Sequence, residues 1–206
     1  MITTAKTVLL LGIVLVSWTD FLTDFLATKT ESGSKLEYTA NAELKFPTHY
    51  REWVYLTTGF DMSYSPTPMP MGHHMFDNVF VNPEAYKAFV ETGTWPDKTI
   101  LVLEGRRAEG KGSINQKGNF QSEMMGFEVH VKDESRFPGK WAFFAFGDAK
   151  VGKMIPTTAD CYSCHASHAA VDTTFVQFYP TLLPIAKSKG TLTLAYQKEV
   201  ETPAQE

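Results

Sequence analysis

The residues best suited to chemistry are two cysteines and a histidine in the last quarter of the chain. They form the segment Cys161-Tyr162-Ser163-Cys164-His165. This Cys-x-x-Cys-His spacing is typical of covalent haem attachment. Two thiols three positions apart can bond to the two vinyl groups on one haem edge, and the adjacent imidazole can bind the iron. The pattern therefore predicts one haem c, bonded to Cys161 and Cys164, with His165 as an axial iron ligand.

A disulfide, a zinc site and a thioredoxin-like redox pair fit the two cysteines less well than haem does. The chain has two cysteines in all, so a disulfide between them would close a very short loop and add little stability. A structural zinc site needs four ligands, and the sequence has no second cysteine pair. A thioredoxin-like redox pair follows a strand in a βαβ unit, which the pattern around residue 161 does not predict.

The composition suits a haem protein and argues against a nucleic-acid partner. Aromatic residues make up 13% of the 206 residues, including 15 Phe, as expected for a core built around a large flat group. A formal net charge of -4 provides no general basic field for phosphate backbones. We therefore expect small-molecule ligands, no nucleic acid, and a redox partner protein that the sequence does not identify.

The N-terminus carries a targeting signal or an anchor. The apolar run at residues 8–16 has about the length of a signal-peptide core and is shorter than the ~20 residues that span a bilayer. An uncleaved membrane tether through residues 7–27 is the alternative, because no clean small-x-small site follows. It would place Asp20 and Asp24 in lipid, each at a cost of about 2.5 to 3.5 kcal/mol. Residues 1–27 thus predict a periplasmic or exported protein, cleaved or membrane-anchored, and a buried helix of a cytosolic domain is a third interpretation.

The rest of the chain predicts a single domain of α+β class. Residues 28–45 have no hydrophobic period and predict a tether, followed by a domain at 46–200 and a flexible tail at 201–206. Consecutive strands joined by turns favour an antiparallel β-sheet with flanking helices. The predicted strands are 76–81, 99–104, 127–131 and 141–146; the predicted helices are a short one near 48–53, 82–93 and 172–187; the predicted loops are 63–72 and 105–119.

Around the motif the sequence resembles the cytochrome P-460 and cytochrome c′-β family, over most of residues 46–190. The matching segments, in order, are Phe46-Pro47 with Arg51 and Trp53, Asn82-Pro83, Trp95-Pro96-Asp97, Val131-Lys132-Asp133, Trp141-Ala142-Phe143, the Cys-x-x-Cys-His motif, Asp172 and Phe178-Tyr179-Pro180. The resemblance implies a homodimer and a haem iron bound by His165, with the opposite face open in an apolar pocket. It also implies small nitrogen species, chiefly nitric oxide and hydroxylamine, as ligands or substrates.

Two positions decide what the resemblance implies about catalysis. Family members that oxidise hydroxylamine carry a lysine bonded to the haem edge, on the strand after the Trp-Pro-Asp turn. Leu103 stands at that position here, and Lys87 and Lys98 do not match it, so no haem–lysine crosslink is expected. Whether the protein is an oxidoreductase or a binder therefore stays open. Those members also carry a distal carboxylate that moves protons, and Glu128 is the candidate catalytic counterpart; a solvated strand glutamate is the alternative.

An electron-transfer cytochrome with both axial positions filled is the competing function. Its candidate sixth ligands lie in or next to the proline-rich loop and are Met69, Met71, His73, His74 and Met75. Four further positions have weaker predictions. His168 is expected beside the haem edge. Arg106 and Arg107 are candidate partners of the haem propionates. One ring of the cluster formed by Phe143, Phe144 and Phe146 is expected to cap the pocket.

Overall fold

The computed structural model describes residues 34–64, 74–147 and 150–201, and a seven-stranded antiparallel sheet is its central element. The strands are β1 (Leu44–Lys45), β2 (Val54–Phe60), β3 (Met75–Val81), β4 (Ile100–Glu109), β5 (Phe120–Lys132), β6 (Trp141–Ala145) and β7 (Val151–Met154). Four α-helices lie in the described ranges: α1 (Pro83–Thr92), α2 (Asp160–His168), α3 (Leu183–Lys189) and α4 (Leu194–Glu201). The predicted α+β class is confirmed.

The strands lie in the order β1-β7-β6-β5-β4-β3-β2. Strands β2 to β7 are thus neighbours both in sequence and in the sheet, and β1 alone pairs with a distant strand, through Leu44 opposite Gly152. The chain leaves the sheet after β3, forms helix α1 and returns to the sheet at β4. Its N-terminal proline and its Gly93 C-cap, at φ 77°, mark the boundaries that the sequence predicted.

Side chains alternate between the two faces of the sheet, as the pleat requires. Ile100 and Val102 of β4 point into one core, together with Val129 and Phe144. Leu101 points to the opposite face, into a second core that contains Trp95 and the C-terminal segments. This second face is the one that carries the functional site.

Several elements differ from the predictions. β4 extends to Glu109, inside the predicted loop 105–119, and β5 begins at Phe120, seven residues before the predicted strand. The exposed, polar ends of these strands give no apolar period that a sequence pattern could detect. The predicted helix 172–187 is broken, since Pro180 and Pro184 cannot lie inside a helix; a 3-10 turn (Val176–Phe178) precedes α3, which begins with Pro184 in its first turn. Strands β1, β2 and β7 and helices α2 and α4 were not predicted.

The folded unit starts at Ser34 rather than near residue 46. Leu44 is 1% exposed, and Leu36 and Tyr38 pack against the same core, so residues 34–45 are part of the domain and not a tether. The predicted signal or anchor at 1–27 lies outside the described residues. Within the described ranges, no helix has the length and apolar character needed to cross a membrane.

A carboxylate network is buried on the face of the sheet away from the functional site. Glu104 of β4 is 1% exposed and accepts hydrogen bonds from Tyr50 Oη, from Arg51 Nη2 at 2.6 Å and from Arg106 Nε at 2.5 Å. Burial alone would raise the pKa of Glu104, but the hydrogen bonds from Tyr50 and Arg106 and the charge of Arg51 outweigh it and lower the pKa. The ionised carboxylate therefore ties β4 to the 3-10 turn at Tyr50–Glu52.

Candidate functional site

A cavity of about 420 Å³ lies between the second face of the sheet and the segments that follow β7. This volume falls in the range of cofactor and small-molecule pockets, roughly 300 to 1,000 Å³. The cavity is lined by Cys161, Cys164 and His165 of α2 on one side and by Leu103 and Glu128 of the sheet on another. The structure thus brings the three motif residues together with two strand positions that the sequence analysis singled out.

His165 presents one ring nitrogen for coordination. Its Nδ1 lies 2.7 Å from the carbonyl oxygen of Thr173. A carbonyl oxygen only accepts, so Nδ1 carries the proton and Nε2 keeps its lone pair. Burial lowers the pKa of His165, and the hydrogen bond to the Thr173 carbonyl offsets this lowering in part. The lowered pKa favours the neutral ring at pH 7. A neutral imidazole with its Nδ1–H held by a carbonyl is the usual state of a metal-bound histidine.

The turn that holds the Thr173 carbonyl is fixed from two directions. Thr174 Oγ1 accepts a hydrogen bond from Trp95 Nε1 at 2.7 Å and donates to the Val171 carbonyl at 2.8 Å. Lys132 Nζ, on β5, lies 3.2 Å from Asp172 Oδ2 and donates to the Trp95 carbonyl at 2.7 Å. Asp172 has φ 52°, a left-handed conformation that aspartate tolerates better than most residues. The conformation of this turn orients the His165 ring.

Both cysteines are free and line the same cavity. Because they lie three positions apart on α2, their side chains emerge one above the other on one face of the helix, and His165 lies one turn from Cys161. The helix is fastened to the sheet by Tyr162, whose Oη accepts from the Phe143 backbone N–H and donates to the Ile155 carbonyl, each at 3.1 Å. The two thiols and the imidazole are therefore presented together to the cavity.

We expect Tyr162→Phe to lower the free energy of unfolding by about 1 to 2 kcal/mol, because the Phe143 N–H and the Ile155 carbonyl lose their partner. Tyr55→Phe is the matched control, since that hydroxyl bonds the Thr58 hydroxyl on an exposed part of β2. Denaturant unfolding of the two variants measures the difference. Equal, small losses for both would contradict the anchoring of α2 by Tyr162.

Aromatic rings enclose the motif histidine. His165 packs against Phe175, with ring centroids 4.1 Å apart, and against Phe143 at 4.6 Å. His130 of β5 stacks on Phe143 at 3.9 Å and meets His165 edge-on at 5.4 Å. Burial, followed by the charge that His165 would carry if protonated, holds the pKa of His130 well below its usual value of 6.5. The surroundings of His165 are thus apolar and uncharged.

The two strand residues singled out from the sequence, Leu103 and Glu128, lie in the cavity wall. Leu103, at the position of the family's crosslinking lysine, lies opposite Glu128 in the β4–β5 ladder, and both line the cavity. The Glu128 side chain is exposed to solvent through the opening. Lys98 binds Asp133 at the far end of β4 instead. Phe143 also lines the cavity, but it packs on His165 rather than capping a face opposite to it.

Three weaker predictions are wrong. His168 points to Glu199 of α4, 3.0 Å away, and does not line the cavity. Arg106 binds Glu104 on the opposite face of the sheet, and Arg107 pairs with exposed Glu123 at 3.3 Å. In each case the side chain pairs with a carboxylate that does not line the cavity.

The candidate sixth ligands divide into three groups. Met75 lines the cavity. His74 does not, because its Nδ1 is 2.5 Å from Asp61 Oδ2. Met69, Met71 and His73 lie outside the described residues.

The sequence analysis missed several residues of the cavity wall, and three of them bear on its chemistry. They are Met62, Tyr64 and Asp77. Asp77 was detectable in principle from the alternation of side chains in β3. It shares one face of the strand with Met75 and Val79, and Asn78 and Phe80 lie on the other face. Met62 and Tyr64 follow the unpredicted strand β2, and no local signal marks them.

Taken together, the sheet face and helix α2 bring two thiols and an imidazole to one cavity that has the size of a cofactor pocket. A family model described as Cytochrome P460 matches residues 47–176, well over half of the chain, and the chain belongs to this family. It is therefore a haem protein, and the resemblance identified from the sequence is confirmed. No curated protein matches the chain.

Proposed function

We propose that this chain is an exported mono-haem c-type cytochrome whose iron binds or converts small nitrogen species such as nitric oxide and hydroxylamine. The haem is bonded to Cys161 and Cys164, and His165 is the axial ligand. The observation that carries the proposal is that the free Nε2 of His165 and both thiols belong to one cavity. The haem supplies an iron that exchanges electrons and binds diatomic or similarly small ligands.

The chain's own residues support an open iron face. Burial favours the neutral form of the His165 ring, and the Thr173 carbonyl orients it. The sheet side of the cavity offers Leu103, Val79 and Leu101, apolar side chains that admit a small uncharged molecule and exclude water. Glu128, beside Leu103, is the candidate proton acceptor for a conversion of hydroxylamine, and Leu103 lacks the amine that a haem–lysine crosslink requires.

An electron-transfer cytochrome with six-coordinate iron is the second candidate. It is favoured by one observation, that the thioethers of Met62 and Met75 both line the cavity. Methionine sulfur is a common axial ligand of electron carriers. The family also suggests a homodimer, and the apolar run at residues 8–16 supports a periplasmic or membrane-anchored location; both belong to the proposal.

The optical spectrum of the ferrous protein distinguishes the two candidates. We expect a high-spin spectrum that changes on addition of carbon monoxide or nitric oxide, because only His165 holds the iron. A low-spin spectrum that neither gas changes would contradict the proposal and support the electron carrier. Met75→Leu and Met62→Leu then identify the ligand, since the replacement of a coordinating thioether converts the spectrum to high spin.

A further inference from the structure

The charged side chains of the described cavity wall are both acidic. Asp77 of β3 and Glu128 of β5 line it, and no Lys or Arg of the described residues does. The side chains of His74 and Arg106 pair with other carboxylates, those of Asp61 and Glu104 respectively. The described cavity residues thus contribute negative charge without a compensating cation.

Asp77 is placed so that its carboxylate stands clear of the neighbouring strands' side chains. Across the sheet it is paired with Gly59 on β2 and with Gly105 on β4, and Gly105 is paired with Gly126 on β5. Of these four residues paired across β2 to β5, Asp77 is therefore the one with a side chain. A Cβ added at Gly59 would lie 2.6 Å from the Met62 sulfur, and one at Gly105 would lie 3.3 Å from Met75 Cε. The two thioethers occupy the space over the glycines on either side of Asp77.

The described surroundings of Asp77 offer its carboxylate no compensation. No described side chain forms a hydrogen bond or an ion pair with it, and the charges that act on it are those of Glu128 and Asp61. Burial, followed by these two negative charges, raises the pKa of Asp77. A carboxylate in this position repels anions that enter the cavity and attracts cations, and its partial burial reduces the screening of this effect by salt.

We infer that Asp77, together with Glu128, makes the cavity select by charge, so that it admits neutral or cationic small nitrogen compounds and disfavours anions. This inference rests on the proposed function, because it concerns ligands that reach an open iron face. Hydroxylamine, hydrazine and nitric oxide belong to the favoured class. Azide and nitrite belong to the disfavoured class.

The test compares an anionic with a neutral ligand on the haem-loaded full chain at pH 8, where carboxylates are ionised. Azide is titrated into the ferric protein and carbon monoxide into the ferrous protein, both by absorption spectroscopy. We expect Asp77→Asn to raise the ratio of azide affinity to carbon monoxide affinity about tenfold, because one negative charge of the cavity wall is removed. Glu128→Gln should raise the ratio in the same direction.

Glu91→Gln is the control for net charge, since Glu91 lies exposed on α1, does not line the cavity, and should leave the ratio unchanged. If wild-type protein binds carbon monoxide but Asp77→Asn and Glu128→Gln both keep the wild-type ratio, selection by charge is overturned while the open iron face stands. If wild-type protein binds neither ligand, the open iron face is lost and the inference is overturned with it.

Discussion

A Cys161→Ala/Cys164→Ala double variant is expected to lose its haem completely on denaturing gels, where the parent chain keeps a haem-staining band. In the proposed holoprotein two thioether bonds retain the haem after unfolding. Coordination by His165 alone depends on the folded turn at Thr173 and ends when the chain unfolds. Expression in a host with cytochrome maturation, followed by haem staining and intact-mass measurement of the denatured chain, gives the result.

Ser163→Ala is the control within the same motif. Its hydroxyl donates to the Asp160 carbonyl at 2.9 Å on the exposed side of α2, so its loss should leave haem attachment intact. Haem that stays with the denatured double variant would refute attachment through these sulfurs. A parent chain that is colourless, with both thiols still open to alkylation, would refute covalent haem altogether.

Glu104→Gln is expected to lower the free energy of unfolding by about 3 kcal/mol, because it removes the charge that pairs with Arg51 and Arg106 in a buried network. Glutamine cannot accept from all three donors as the carboxylate does, so the Tyr50 hydroxyl or a guanidinium loses its partner. Denaturant unfolding at pH 7 measures the loss. The haem site lies on the other face of the sheet, and a ferrous spectrum like that of the parent is expected.

The pH dependence provides a second measurement for the same variant. The folded-state pKa of Glu104 lies below its ordinary value of 4.5, so its stabilisation is complete above pH 4.5 and is lost as pH falls through the lowered value. The difference in unfolding free energy between the parent and Glu104→Gln should therefore shrink below pH 4.5. Glu123→Gln, which breaks an exposed pair with Arg107, should change stability little at any pH. Equal effects of the two variants would contradict the network's contribution.

The site could be predicted from the sequence wherever a short-range pattern encodes it. Cys161, Cys164 and His165 form a short motif of fixed spacing, and helix α2 brings all three to one cavity. The alternation around Glu128 and His130 likewise assigned both to one face of a strand. Helix α1 was predictable because Pro83 and Gly93 mark its ends chemically.

The rest depends on contacts between distant residues, which a single sequence does not reveal. Thr173 bonds His165 through its backbone carbonyl, so no side-chain type identifies it. Alternation in β3 turns Asp77 towards the cavity, but the pairing with Gly59 and Gly105 that leaves its carboxylate uncovered is not visible in the sequence. Arg106 was a candidate partner of the haem propionates, and its pairing with buried Glu104 is a contact that the sequence pattern does not reveal.

The strand order has a consequence for how the chain assembles. Strands β2 to β7 can pair one after another as successive neighbours, each closing a modest loop. β1 is the exception, because its partner β7 is made about a hundred residues later, and the closure of so long a loop is entropically slow. Strand β1 must therefore stay unpaired until nearly all of strands β2 to β7 have formed. Unfolding should in turn begin at the pairing of β1 with β7, which makes β1 the first strand to exchange its amide protons with solvent.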